Sequence, residues 1–199
     1  MKKRIFTLIL AIAIPIMLLA ACGSSPEPVM PERGVWNDNV YTNEYLGLEF
    51  TLPNNWTIST DEQLAALVNI SADILEVPAG MIEGMALYDM MASGPLGSSV
   101  MVMYERLLPA TAGISEADYL AELATELEMT GLGYSNFVFS DSTTRIGSVG
   151  YHSLSAVLSM GGMEIVQYYF INRQDEFIRG IIVTLIGDDT LEDILANFN

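Results

Sequence analysis

The chain has 199 residues, of which 51% are hydrophobic, so it can bury a sizeable core. Eight basic residues stand against 25 acidic ones, which gives a net charge of −17 at pH 7. Nucleic-acid binding relies on lysine and arginine to neutralise phosphates, so this balance argues against a nucleic-acid partner. Cys22 is the only cysteine, which excludes an internal disulfide.

The N-terminus has the pattern of an export signal. Residues 2–4 are Lys-Lys-Arg, and residues 5–21 form an apolar run that Pro15 interrupts. A membrane-spanning helix needs about 20 apolar residues, so this shorter run predicts a cleaved signal rather than an uncleaved anchor. The run ends in Leu19-Ala20-Ala21-Cys22, which resembles the lipobox of bacterial lipoproteins.

The lipobox resemblance implies a location and a modification. Residues 1–21 would be a lipoprotein signal peptide, and Cys22 would become the first residue, with its thiol joined to diacylglycerol. Cleavage would leave five arginines and no lysine against the 25 acidic residues, which lowers the net charge from −17 to −20. Such a chain gains nothing from lying on anionic lipid. We therefore expect a palmitate-type lipid on Cys22 to hold the protein at the extracytoplasmic face of the cell membrane.

Residues 22–34 are predicted to be the lipidated cysteine and a flexible linker. The segment contains three prolines and no hydrophobic period, so it cannot bury a core. Twelve extended residues would reach roughly 35–40 Å. Residues 35–199 have the usual length of a single domain.

The first half of the domain predicts strands around one helix. Residues 48–52 alternate between apolar and polar, as in a half-buried strand. Thr60 and Gln63 form a capping-box pattern before a helical apolar stripe that Pro78 and Gly80 end. Strands are predicted over 84–91 and 99–108, and the second is apolar enough to be covered on both faces.

The second half predicts a helix, three long strands and a final helix. Ser115 begins the first of these helices, which Gly131 ends. Strands over 152–160 and 164–173 flank Gly161-Gly162, a strong hairpin signal, and a strand over 177–186 follows. Thr190 begins the last helix. Sequential hairpins make the sheet mainly antiparallel, so the predicted class is α+β, with the sheet covered by helices.

Residues 41–56, YTNEYLGLEFTLPNNW, resemble the opening of PsbP-like domains, in which a tyrosine precedes a GL-x-F-x-x-P-x-x-W pattern. Residues 194–198, ILANF, are similar to the IL-x-x-F that ends the final helix of that family. The resemblance covers residues 40–199 in layout and implies a PsbP-like α/β sandwich. Most members of the family are binding or accessory proteins, and the fold hosts different roles.

Residues able to perform catalysis or hold a metal are few. His152 is the only histidine and has no apparent orienting partner, so we expect it to be structural. No serine lies in a Gly-x-Ser-x-Gly elbow, and a lipidated Cys22 provides no thiol nucleophile. Asp141 and the pair Asp188-Asp189 could supply oxygen ligands, but neither segment matches a calcium loop. We therefore predict no catalytic, metal-binding or cofactor-binding residue.

Two apolar features need a structural interpretation. Trp56 is expected to be buried beside the first helix, because it precedes the Thr60 cap. Thioethers bind soft copper, but methionines also fill cores and adaptable surfaces. We rank core packing first, an adaptable surface second and copper third for the methionine-rich region: Met81, Met85, Met90, Met91, Met101 and Met103.

These observations favour a non-catalytic, lipid-anchored binding or accessory module for a protein or envelope component. One alternative is an envelope hydrolase using acidic residues such as Asp141 or Asp188. Another is a lipoprotein that captures a small ligand within the layers of the domain. A concave pocket with converging carboxylates would favour the enzyme, and a broad apolar patch would favour the binding module.

Overall fold

The computed structural model describes residues 31–75, Pro78, Gly80 and 85–199. The predicted signal peptide, Cys22 and most of the predicted linker lie outside these residues. The strands and helices are β1 (Val35–Asn37), β2 (Val40–Asn43), β3 (Leu48–Thr51), β4 (Thr57–Ile58), α1 (Asp61–Leu75), β5 (Ala86–Ser93), β6 (Ser99–Arg106), α2 (Glu116–Met129), β7 (Tyr134–Phe139), β8 (Thr144–Ile146), β9 (Val149–Met160), β10 (Met163–Gln174), β11 (Phe177–Leu185) and α3 (Leu191–Leu195).

A large antiparallel sheet forms the centre of the domain. Its strand order is β4-β5-β6-β11-β10-β9-β7, and β8 also pairs with β9. A smaller sheet has the order β1-β2-β3. The C-terminal residues extend this small sheet, because Asn199 N donates to Glu49 O at 2.9 Å and Thr51 N donates to Asn197 O at 2.9 Å.

Each face of the large sheet has its own hydrophobic core. The first core lies against α1 and α2 and includes Leu67, Leu123 and Tyr169. The second core lies against the small sheet and α3 and includes Phe50, Tyr104 and Ile194. The strands in the middle are therefore buried on both sides, as the apolar character of residues 99–108 predicts.

The predicted α+β class needs one correction. The sheet is mainly antiparallel, as predicted, but α1 and α2 cover one face and only the short α3 lies on the other. The other face is covered mostly by the small sheet, because β1–β3 carry an inward apolar row that includes Tyr41, Leu48 and Phe50. Among the described residues, no helix is long and apolar enough to cross a membrane.

The helix starts are confirmed at atomic detail. Gln63 N donates to Thr60 Oγ1 at 3.3 Å, and Thr60 N donates to Gln63 Oε1 at 2.8 Å, which is a complete capping box. Ser115 and Thr190 cap α2 and α3 in the same position. The last helix is shorter than expected, since it ends at Leu195.

The hairpin between β9 and β10 is also confirmed. Met160 pairs with Met163, and Gly161 and Gly162 have φ angles of +60° and +83°. A two-residue turn of this type needs positive φ at both positions, which glycine adopts without strain. The edge strand β7 has no counterpart in the predicted elements, although it follows directly on Gly133.

The predicted burial of Trp56 beside α1 is wrong. Its ring is only half-buried and packs on the second core, across the sheet from α1. A Cβ on Gly94 would lie 2.9 Å from Trp56 Nε1, so the indole sits directly on that turn. The cause is that β4, the strand that follows Trp56, has only two residues and leaves the edge of the sheet open.

The described methionines of this region lie in the core, in agreement with the first-ranked interpretation, core packing. Met101 and Met103 face the helices, and Met90 faces the small sheet. Met85 and Met91 are buried as well, whereas Met81 lies outside the described residues. Packing therefore explains these five side chains.

Candidate functional site

A β-bulge places a carboxylate between the two sheets. The pairing of β5 with β6 shifts between Tyr88 and Met90, so Asp89 is the extra residue of the bulge. Tyr88 faces the helices, whereas Met90 faces the small sheet. The bulge thus directs Asp89 toward the small sheet, where its side chain is fully buried.

Asp89 is surrounded by hydrogen-bond donors from the small sheet. Asn43 Nδ2 donates to Asp89 Oδ2 at 2.7 Å, and the Tyr41 hydroxyl donates to the same oxygen. Gly34 N donates to Oδ1 at 3.0 Å. A buried carboxylate is stable only when such donors replace its hydration, so this cluster fixes the small sheet to the large one.

Arg33 lies over this cluster and connects it to the surface. Its Nε is 3.5 Å from Asp89 Oδ1, and its Nη2 donates to the backbone oxygen of Asp89 at 2.7 Å. Its Nη1 is 2.8 Å from Oδ1 of Asp61 at the start of α1. Arg33 and Gly34, which the sequence analysis places at the end of the linker, are therefore in contact with the folded domain.

Two clefts open on either side of this segment. One, of about 230 Å³, is lined by residues that include Arg33, Ser59, Asp61 and Asp89. The other, of about 500 Å³, is lined by residues that include Glu32, Thr42 and Tyr45. The segment 33–35 lines both clefts, so its position controls their shape.

Tyrosine hydroxyls near Asp89 remain protonated over the physiological range. Burial, with the neighbouring charge of Asp89, raises the pKa of Tyr41 far above its ordinary value. The same two causes raise the pKa of Tyr104. Both groups are therefore neutral donors. This suits them to hold an acceptor and not to act as a base.

A second buried carboxylate lies on the helix side of the sheet. Tyr119 Oη on α2 donates to Glu105 Oε2 on β6 at 2.5 Å. Burial raises the pKa of Glu105 to about 8, since the Tyr119 hydrogen bond only partly offsets the loss of solvent. Burial also raises the pKa of the half-buried Glu126 to about 7, although the sequence places Glu126 on the outer face of α2.

The sequence-derived candidates are not brought together at this site. Cys22 lies outside the described residues. Asp141, Asp188 and Asp189 are exposed in loops, and His152 is half-buried in β9. Within the described ranges, no group of three or more His, Cys, Asp or Glu side chains is placed to hold a metal ion.

Sequence reasoning missed Asp89, Arg33 and Tyr41. The available signal was one acidic residue inside an otherwise apolar strand, Leu87-Tyr88-Asp89-Met90. A charge at such a position is buried only when it is paired. Its partners come from a segment about 50 residues earlier in the chain, and no local pattern reveals that pairing.

Solved structures that resemble this chain include two distant likenesses. No protein-family model and no curated protein matches the chain. A crystal structure from Bacteroides thetaiotaomicron matches 76% of the chain at 8% identity, with a TM-score of 0.41. The chain spans 44% of that protein. LpqN, which is involved in cell envelope biogenesis of Mycobacterium tuberculosis, matches 76% of the chain and 82% of its own length at 14% identity, with a TM-score of 0.38. Both scores are too low to establish a common fold.

Proposed function

We propose that this protein is an extracytoplasmic lipoprotein, held to the cell membrane by lipid on Cys22, whose domain is a non-catalytic binding or accessory module of the envelope. The observation that carries this proposal is Leu19-Ala20-Ala21-Cys22 after a basic and then apolar N-terminus. Two acyl chains anchor a protein stably where one does not, and a diacylglycerol supplies two.

The start of the domain supports a short tether. Arg33 and Gly34 are fixed to Asp89, so only the residues between Cys22 and Arg33 can act as spacer. Ten residues span at most about 35 Å when fully extended. The end of the domain that carries Arg33 and both clefts would therefore lie within that distance of the lipid anchor.

The non-catalytic assignment rests on the state of the acidic groups. Asp89 is occupied by donors from Tyr41, Asn43 and Gly34, together with the charge of Arg33. Asp141 and Asp188 are exposed and belong to separate loops. A hydrolase would need a carboxylate and a second titratable group converging on one pocket. In the cleft of about 230 Å³ the two carboxylates, Asp61 and Asp89, are both paired with Arg33, so neither is free to act as an acid or a base.

A PsbP-like architecture is part of the proposal. The motif at residues 41–56 forms the β2–β3 hairpin and the turn to Trp56, and residues 194–198 bring Phe198 against Phe50 with ring centroids 4.7 Å apart. These two segments, which carry the resemblance, therefore meet in the second core.

Fractionation of the host cell tests the anchor. Wild-type protein is expected in the membrane fraction and to be released by detergent but not by salt, because its charge offers no electrostatic binding. Cys22→Ala should accumulate as an unprocessed precursor without lipid. Ser24→Ala, a neighbouring change that leaves the motif intact, should behave as wild type. Normal processing and lipid incorporation in Cys22→Ala would overturn the proposal.

A further inference from the structure

Arg179 on β11 is a buried cation without a counter-ion. Arg179 is only 8% exposed. Its Nε donates to Asn172 Oδ1 at 3.0 Å, and its Nη2 donates to the same oxygen. Across the described part of the chain, every ion pair involves Arg33, so no carboxylate pairs with Arg179. A guanidinium removed from water is stabilised fully only by an anion, and one amide oxygen replaces only part of that interaction.

Three described polar atoms without a hydrogen-bond partner lie on the same face of the sheet as this cation. In the described residues, three buried side-chain polar atoms lack a hydrogen-bond partner: Tyr104 Oη, Tyr151 Oη and Gln174 Oε1. Tyr104 is the direct cross-strand partner of Arg179, and Gln174 lies two residues beyond its other partner, Asn172. Tyr151 belongs to the same core as Tyr104. Directly opposed residues share a face of a sheet, and so do residues two apart on one strand. The unsatisfied atoms therefore lie on the face that carries Arg179.

The positive charge of Arg179 acts on two tyrosine hydroxyls, those of Tyr151 and Tyr45. Burial raises the pKa of Tyr151, and the positive charge of Arg179 opposes that rise. The pKa of Tyr45 is raised by burial and lowered by Arg179, while Asp175 and Glu176 raise it further. Both hydroxyls therefore stay protonated, and each can donate to an acceptor beside the guanidinium.

Tyr45 connects this group to the surface. It is half-buried and lines the cleft of about 500 Å³. On its inner side its ring meets Tyr104 edge-on, with centroids 5.5 Å apart, and Phe177, at 6.5 Å. A ligand entering from the cleft would therefore reach Arg179 past the Tyr45 ring.

We propose that Arg179, Tyr104 and Tyr151 form a binding site for the carboxylate group of a small organic monoanion, which enters beside Tyr45. The planar guanidinium fork matches a carboxylate, and neutral tyrosine hydroxyls supply further donors. A single charge fits best, because Asp89, whose charge acts on Tyr104, repels polyanions, as do Asp175, Glu176 and the net negative charge of the chain. The inference rests on the proposed binding role of the domain but does not depend on the lipid anchor.

Titration of the ¹⁵N-labelled full chain in detergent with sodium acetate tests this site, with sodium chloride keeping the ionic strength constant. The readout is the Nε–H signal of Arg179, identified by its loss in Arg179→Gln. A saturable shift of that signal is expected with acetate. Tyr151→Phe should weaken the affinity about tenfold, the effect of losing one hydrogen bond to a charged group. Tyr168→Phe on β10 and Arg145→Gln on β8 should leave the affinity unchanged.

Three results would overturn the site. The first is no saturable shift of the Arg179 signal with acetate, and the second is an equal shift in a separate titration with sodium chloride alone. The third is equal acetate affinity in Tyr151→Phe and wild type. Inorganic phosphate binding more tightly than acetate would refute the preference for a monoanion. Melting curves of each variant confirm that it is folded before titration. Because the titration uses solubilised protein, its failure is distinct from a failure of membrane anchoring in the Cys22→Ala experiment.

Discussion

Arg33 Nε lies 3.5 Å from Asp89 Oδ1, and this ion pair joins the segment before β1 to the bulge in β5. The Asp89 side chain is fully buried, whereas that of Arg33 is 40% exposed. The pair therefore links the buried interface between the two sheets to the surface segment that continues toward Cys22. We expect the contribution of this ion pair to the stability of the domain to depend mainly on the buried Asp89.

Asp89→Asn should destabilise the domain by about 2–4 kcal/mol. The change keeps the size of the side chain but removes the buried charge opposite Arg33 Nε and one acceptor oxygen from the donors of Tyr41 and Asn43. Asp61→Asn is the matched control, since Asp61 pairs with the same Arg33 but is 83% exposed. Its effect should stay below about 1 kcal/mol. Urea denaturation measures both, and equal effects would show that burial of Asp89 is not what matters.

Gly34→Ala should detach the segment that contains Arg33. A Cβ on Gly34 would lie 2.4 Å from the Tyr41 ring, which is itself held by Asp89. We expect faster trypsin cleavage after Arg33 and a lower melting temperature. Gly113→Ala is the control, because nothing lies within 4 Å of the added carbon. Unchanged cleavage at Arg33 in Gly34→Ala would mean that the segment is not held as the structure shows.

Stability should fall as the pH rises from about 5 to 9. The pKa of Glu105 is raised to about 8 in the folded state. In the unfolded chain Glu105 has an ordinary, lower pKa and loses its proton first. Above that lower pKa, a rising pH therefore favours the unfolded state. The stabilisation is complete below the unfolded pKa and is lost as the pH rises through 8, a change on the order of 4 kcal/mol. Glu126 acts with the same sign but less strongly, because it is partly solvated.

Glu105→Gln should flatten this pH dependence, because the amide oxygen still accepts the Tyr119 hydrogen bond and carries no charge. Glu128→Gln on the exposed face of α2 should keep the wild-type slope. Urea denaturation at several pH values between 5 and 9 gives the slopes. A Glu105→Gln protein as pH-sensitive as wild type would assign the effect to other groups.

Metal chelation and thiol reduction should leave the melting temperature unchanged. The sequence holds a single cysteine, and the described residues contain no cluster of potential metal ligands. The apolar cores on the two faces of the sheet must then supply the stability. A fall of many degrees with chelator would reveal a missed ion site, with Asp141, Asp188 and Asp189 as the first residues to substitute.

Local patterns predicted the elements whose causes are local. The capping box at Thr60, the N-cap at Ser115 and the glycine turn at 161–162 depend on neighbouring residues, and the structure contains each of them. The polar groups of the candidate site depend on partners far along the chain. Asp89 is paired through a bulge, and the register shift that makes a bulge is set by the partner strand.

The burial of Arg179 was equally hidden from the sequence. Arginine is among the residues least often fully buried, so an isolated arginine in a strand gives no sign of an internal site. The prediction that Trp56 is buried beside α1 is wrong for a related reason. Its burial depends on the length of β4 and on the open edge of the sheet, which the short pattern around Pro53 does not encode.

Intact mass and N-terminal analysis of the protein extracted from host membranes tests the central claim most directly. We predict a chain that begins at Cys22 and carries the added mass of a diacylglycerol, with residues 1–21 removed. An intact Met1 terminus and an unmodified Cys22 thiol would contradict it, and would make residues 5–21 the membrane attachment.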